Sequence, residues 1–387
     1  MPAGTYQIGR LGKVLVAEEA TYGTTPTLLA TMAVRHLQIG MDYNPKGRVN
    51  SEEKRGNPGV AARFDRRTTA GLAPLNAYLR PSGTIGVVPE CTKIFEHGLG
   101  TVVVGALSTT VTSASSSSVM TLASVAGLTV GEFVSVRRAA NSSIPEVRQV
   151  TVIAGSVVTV SPALAGTPAA ADTFKSGITY KLATSGQKSL SIAHYLTSLS
   201  RIVQGVPVDS LSVAFNNNEE VKFTATGPGK QLMARGSVPA LPGFTSVGSQ
   251  NPPSGLAGAL LINGVDYCVI GGEFALKNQF ELINECVGTS LAEGFYRSGI
   301  RDVTFSLEAP VTNDFSLYDI AASVANFELF LQMGVTEGNI VAVRAPACQL
   351  DNVPNFGDDN GRNTYSFAGV AIENSTAGND EYAIGLC

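Results

Sequence analysis

Tryptophan is absent from the 387 residues, aromatic residues reach only 7%, and charged residues only 15%. Without tryptophan the chain lacks the best side chain for an exposed sugar-stacking platform, and its core must be built mainly from aliphatic groups. Sparse charge on a chain rich in Gly, Ser, Thr, Val and Ala implies a β-rich protein whose surface is largely buried between copies. No apolar run of about eighteen residues is present, and no basic-then-apolar leader opens the chain, so no membrane span and no export signal are expected. The five cysteines, Cys91, Cys268, Cys286, Cys348 and Cys387, are scattered without CxxC spacing. They read as reduced thiols of a protein made and assembled in a cytoplasm, not as a disulfide framework or zinc site.

The groups that perform chemistry are also scarce. His36, His97 and His194 show neither HExxH nor HxH spacing and read as ordinary strand or loop histidines. "GPGKQ" at Gly227 to Gln231 superficially matches a phosphate loop, but Thr224 stands where the pattern needs Gly, and Gln231 where it needs Ser or Thr. It is read as a β-turn. No GxSxG elbow occurs, and "FGDDNGR" lacks calcium-loop spacing, so Asp358 and Asp359 are assigned to a polar turn before a strand. The glycosylation patterns at Asn141 and Asn374 carry no weight without a leader. No enzyme activity, cofactor or metal is expected.

What is present is alternation. "LGKVLVAEE" predicts a first strand leading into a turn at Tyr22, Gly23 and Pro26, with Glu18 and Glu19 on opposite faces and therefore not an acid–base pair. That stretch reads as the exit from the first strand toward neighbouring subunits. "MAVRHLQIGMDY" predicts a second strand, and "LAPLNAYLR" a short helix with Pro74 in its first turn. "DSLSVAF" and "EVKFTATG" pair across a loop over Asn216 to Glu220, and Asn263-Gly264 marks another hairpin. "VTFSLEA", "NFELFLQMG", "NTYSFAGVAIEN" and "EYAIGLC" complete the strands, with a helix expected at "NDFSLYDIAAS", capped by Asn313 or Asp314. Between residues 101 and 183 charge falls to about one residue in ten and the strands become short, which predicts a small inserted β domain. The host is then residues 1–100 and 184–387.

Charge is lopsided. Lys46 to Arg67 holds seven bases against three acids, whereas residues 310 onward hold ten acids against two bases, around a net charge of −4. The polar stretch from Lys46 is too long for a turn and too polar for core, and so reads as an arm. The acidic balance argues against a broad nucleic-acid-gripping face.

The order "VLVAEEATYGTTPT", "VDSLSVAFNNNEEVKFTATGPG", "LLINGVDY", "SLEAPVTNDFSLYDIA" and the closing "NFGDDNGRNTYSFAGVAIENSTAGNDEYAIGLC" resembles the major tail tube proteins of long-tailed (siphovirus-type) bacteriophages. The resemblance spans about three quarters of the chain and rests on several motifs in order. It implies two packed antiparallel sheets, a sandwich or barrel, with a flanking helix. It further implies six copies closing a ring, rings stacking into a tube for DNA ejection, and assembly with tape measure, terminator and distal tail proteins in the virion. In this family a long loop near the front braces neighbours, which points to Lys46, Arg48, Lys54, Arg55, Arg63, Arg66 and Arg67 as subunit or ring contacts. DNA should pass the lumen without specific binding, so its wall should be neutral or acidic. Glu219 and Glu220 are the candidate acids near the channel or an interface. The inserted domain is expected on the tube exterior. The competing reading, a β-sandwich carbohydrate-binding or adhesin-like surface protein, would want aromatic platforms and an export route.

Overall fold

The computed structural model describes residues 9–139, 144–196, 199–234, 238–245, 250–311, 318–320, 325–351, 355–359 and 361–387. Alternating apolar residues organise it into packed antiparallel sheets. In one sheet the neighbours run Gln38–Asn44, Thr69–Tyr78, Glu219–Gly229, Ser210–Asn216, Gly271–Lys277, Asp302–Pro310 and Arg362–Ala371. Opposite it stand Val265–Tyr267, Gly258–Ile262, Phe327–Met333, Val341–Leu350, Ala383–Leu386, Ile178–Leu182 and Gly100–Val104. The two halves join where residues 348–350 pair with residues 369–371. Leu211, Val213, Phe223, Phe274 and Phe305 from the first half and Leu329, Leu331, Val343, Ile384 and Tyr180 from the second meet in one core.

A third sheet, in the order Gln231–Ala234, Ser200–Val206, Leu190–Tyr195, Lys13–Glu18 and Ala33–Val34, packs on the first. The expected second strand is thus split between two sheets, at residues 33–34 and 38–44.

"LAPLNAYLR" is not a helix. It lies in the strand Thr69–Tyr78, held between Glu219–Gly229 and Gln38–Asn44, with Leu72, Leu75, Ala77 and Leu79 buried. Pro74 is accommodated at a bulge, where the register jumps from Ala225–Leu75 to Gly227–Leu72. The helix forms instead at Thr92–Leu99, where Ile94, Phe95 and Leu99 are buried. Gly100 ends it at φ 118°, a conformation that glycine adopts without a Cβ clash. The helix flanks the sandwich, packing on the strands that start at Lys13, Gly100, Ile178 and Ser210. Of the helix expected at residues 313–323, only residues 318–320 are described, and they are helical; the rest lies outside the described residues, as does Asn141.

Both hairpins form. Asn216 pairs with Glu219, so the turn is only Asn217-Asn218, tighter than the expected five-residue loop. Asn263 and Gly264, at φ 51° and 79°, make a two-residue turn of the kind that matches strand twist.

Within the low-charge region, Ser108–Ala114, Val119–Leu122, Phe133–Arg137, Glu146–Ala154, Val157–Ser161 and Thr173–Ser176 close a six-stranded barrel around Val111, Met120, Val134, Val158 and Phe174. Ser115–Ser118 is a turn within it. The strands Gly100–Val104 and Ile178–Leu182 form a stem that pairs with itself and with Ala383–Leu386. The barrel rests on the second sheet half: Phe133 and Val147 pack against Phe330, Ile340 and Ala342. At the rim Glu328 accepts from Ser161 Oγ at 3.1 Å and pairs with Arg344, while Lys175 pairs with Glu337.

Candidate functional site

Strand alternation sends Leu211, Val213, Val221, Phe223, Phe274, Leu276, Val303 and Phe305 inward and leaves a second face of the first sheet open. Cross-strand pairing arranges that face in rows. One row is Lys222, Ala214, Glu273, Ser306 and Ala368; the next is Thr224, Ser212, Ala275, Thr304 and Val370; a third is Thr226, Ser210, Lys277 and Asp302. Such a surface is flat, small and polar. With Glu308 it carries three acids against two bases, so it offers no cationic grip to a polyanion. The barrel lies against the other sheet half and leaves this face uncovered.

The two ends of these strands differ. Asn44 pairs with Thr69 and Ala70 with Gly229 at one end, where the arm begins. Asn216, Gly271, Glu308 and Ser366 align at the other, beside the Asn217-Asn218 turn. Eleven residues of Glu219–Gly229 separate the ends by about 35 Å.

The arm projects as an exposed excursion, held by a minimal pairing of Val49–Asn50 with Arg63–Phe64. Its seven predicted cations do not act as one patch. Lys46 and Arg48 pair with Asp65, each at 3.1 Å, Arg55 sits 3.5 Å from Glu53, and Arg67 donates to the Cys286 carbonyl at 2.6 Å. Lys54, Arg63 and Arg66 have no carboxylate partner among the described residues. Glu219 and Glu220 are both exposed at the far end; Glu219 pairs with Lys222, and Glu220 bridges to Ser254 through the backbone. Asp358 and Asp359 end the strand Asn355–Asp359, opposite Asn363 and Arg362, and so are strand residues instead of the expected turn. The "GPGKQ" lysine also has a structural place: Lys230 lies 5.3 Å from the centre of the Tyr22 ring, where the strand Glu219–Gly229 ends.

Glu18 and Glu19 diverge, as alternation requires. Glu19 is buried and accepts from Gly23 N at 2.7 Å, Ser189 Oγ at 2.6 Å, Ser191 Oγ at 2.5 Å and Gly205 N at 2.9 Å. It ties the Tyr22-Gly23 turn to two strands. Glu18 faces the helix and bonds Lys93 at 2.7 Å and Lys188. Partial burial alone would raise its carboxyl, but the hydrogen bonds from Lys188 and Lys93 and the positive charge of Lys93 prevail and hold it at about 2.

Glu18, Glu96 and His97 bring three ligand-type atoms together. The cation position between the carboxylates is taken by Lys93 Nζ, 2.7 Å from Glu18 and 2.8 Å from Glu96. The Lys188 backbone N–H meets His97 Nδ1 at 3.3 Å, which assigns the ring proton to Nε2, facing Glu18 at 3.3 Å. The cluster is an ion-paired brace between strand, helix and loop, with Lys93 Nζ supplying the positive charge between the two carboxylates. His97 is helical, against the strand or loop expected. His36 and His194 pack edge to face at 5.8 Å, and burial, then Arg201 and His36, push His194 down to about 4. The five thiols are free: Cys91, Cys348 and Cys387 are buried, Cys268 and Cys286 exposed. No helix among the described residues is long and apolar enough to cross a membrane.

The sequence motifs missed the helix brace and the Glu19 knot. The only advance signal for either was the glutamate pair itself.

A family model described as phage tail tube protein matches residues 9–371, nearly the whole chain. No curated protein matches it.

Proposed function

The chain belongs to the phage tail tube protein family, structural and non-enzymatic components of the virion that assemble with other tail proteins into a tube, and from that premise we propose that six copies close a ring and that rings stack around a DNA channel. The family match across residues 9–371 carries this reading. The Ser/Thr/Ala face of the first sheet supports it as the channel wall. Small neutral side chains with a slight acidic excess let a phosphate backbone slide, whereas a basic wall would retain it.

Ring closure needs each copy to offer unlike edges to its two neighbours. The strands Gln38–Asn44 and Val265–Tyr267 terminate the long sheet and present unpaired backbone groups on one side. Joining such edges between copies would extend the sheet around the channel. Glu219 and Glu220, at the Asn217-Asn218 turn, then lie at one rim of the channel. The barrel, which packs on the opposite sheet half, then faces outward as an inserted exterior domain. The arm contacts a neighbouring copy, and tape measure, terminator and distal tail proteins meet the tube inside and at its ends.

Electron microscopy of the purified protein at rising concentration tests the reading. Hexameric rings or open tubes with a central channel are expected. A monodisperse monomer at the highest attainable concentration would sink it.

A further inference from the structure

Two adjoining hollows, each of about 560 Å³, open at the Lys13–Tyr195 end of the third sheet and share Leu11 and Lys13. Their apolar lining reaches the surface: Leu11, Leu37 and Leu199 are 55%, 49% and 39% exposed. The charged residues around it are Arg10, Lys13 and Arg35, and no acid lines either hollow among the described residues. Arg35 is paired with Glu90 at 3.0 Å, whereas Arg10 and Lys13 have no carboxylate partner among the described residues. The third sheet shares the core beneath the buried face of the first, through Val14, Ile192 and Val203, so the hollows are separate from the open face assigned to the channel.

The other end of the third sheet carries a surface of opposite charge. Beyond the Lys277–Asp302 pair the chain extends as a hairpin of its own, Phe280–Ile283 with Gly294–Arg297, distinct from the arm. Phe295 leans on the Tyr22 ring at 6.0 Å, and Tyr22 abuts Gly205 at the end where Glu18, Leu190 and Val206 align. About 20 Å of strand, Lys13–Glu18, thus separates the hollows from the hairpin's seat. The hairpin holds Glu281, Glu285 and Glu293, none of them paired with a lysine or arginine among the described residues; Glu281 accepts from Tyr296 Oη and Glu293 from Thr289 Oγ1, each at 3.2 Å. Val287, near its tip, is fully exposed.

We infer that the 280–297 hairpin of one copy seats in the basic hollow of a second copy, with Val287 on Leu11, Leu37 and Leu199, and Glu285 and Glu293 toward Arg10 and Lys13. The contact lies off the channel wall and does not use the arm, and it rests on the self-association proposed above. Unpaired acids on one surface meet unpaired cations on the other around an apolar centre, the arrangement by which complementary charge fixes register while apolar burial supplies affinity. Because the two surfaces are unlike and occupy opposite ends of one sheet, a copy cannot fill its own hollow. A shift along the third sheet brings the hairpin of one copy to the hollow of the next, and each copy so engaged still offers its own hairpin at the far end.

The test uses the full chain. A photo-crosslinking residue in place of Val287 is expected, in assembled tubes, to join peptides containing residues 10–13, 35–37, 199–200 or 238–244 of another copy. Crosslinks confined to other regions, the arm included, overturn the inference. In parallel, the double variant Arg10→Glu, Lys13→Glu and the double variant Glu285→Lys, Glu293→Lys should each reduce tube yield by about tenfold or more. Both pairs in one chain should restore tubes. Normal tubes from either double variant, or no restoration in a folded combined chain, count against the contact. Because crosslinking retains the native charges, it decides the matter if a charge variant fails to fold. Failure of the unaltered protein to form rings or tubes strikes the stacking reading itself; tubes with crosslinks elsewhere strike only the hairpin–hollow contact.

Discussion

At the scale of the residue, adjacent glutamates with one sequence context acquire opposite jobs. Glu19 is enclosed by four donors from three segments, so its loss strands buried N–H and O–H groups as well as removing charge-assisted bonds. Glu19→Ala should lower unfolding free energy by about 3 kcal/mol in urea titration, with Glu19→Gln intermediate. Glu18 instead couples stability to acid. Its folded-state value near 2 lies below the ordinary 4.5, so the Glu18 contribution is complete above about pH 4.5 and is lost as pH falls toward 2. Thermal midpoints of wild type and Glu18→Gln should therefore differ at pH 7 and converge through that window; a constant gap would remove Glu18 from the account. The divergence of the pair was legible from strand alternation alone. Their partners were not, because Ser189, Gly205 and Lys188 lie about 170 residues or more away and reach them only through sheet pairing.

At the scale of the element, hairpins were legible wherever turn chemistry and alternation agreed. Asn263-Gly264 is the clearest case, and Gly264 at φ 79° sits where a Cβ costs about 1–2 kcal/mol. Gly264→Ala should lower the denaturation midpoint by a corresponding amount while Gly127→Ala, also at positive φ but remote, should leave tube growth untouched. Equal effects of the two on assembly would detach the hairpin from the sheet edge that it shapes. "LAPLNAYLR" shows how local reading fails. Leu72, Leu75 and Leu79 recur at helical spacing, yet two flanking strands supply hydrogen bonds along the segment and a bulge absorbs Pro74. Tertiary pairing overrode periodicity. The true helix at Thr92–Leu99 carries no side-chain cap and a glycine inside, so its sequence announces little.

At the scale of the whole molecule, the low-charge region is attached more intimately than its composition implies. The stem strands Gly100–Val104 and Ile178–Leu182 belong to the host's sheet, and Tyr180 is part of its core. The break suggested by geometry is the Gly105–Gly177 backbone contact at 2.9 Å, inside the expected limits of 101 and 183. Deleting residues 106–176 behind a tight turn should leave one cooperative thermal transition, at a lower midpoint because Phe330 and Ile340 are uncovered. Deleting residues 101–183 should abolish cooperativity, since Tyr180 and a sheet partner of Ala383–Leu386 go with it. Differential scanning calorimetry separates the two outcomes, and similar transitions from both deletions would place the seam elsewhere.

The sequence by itself determined a weakly charged, strand-built chain, its hairpins, its basic arm and its tail tube family, because alternation, turn chemistry and motif order are local properties of the chain. Only the tertiary structure decided that the arm and the Asn217-Asn218 turn with Glu219 and Glu220 occupy opposite ends of one sheet, and that the sparsely charged face of that sheet stays open while the barrel covers the other half. Those relations depend on strand register and sheet order over hundreds of residues, which are set by packing and are written in no single stretch.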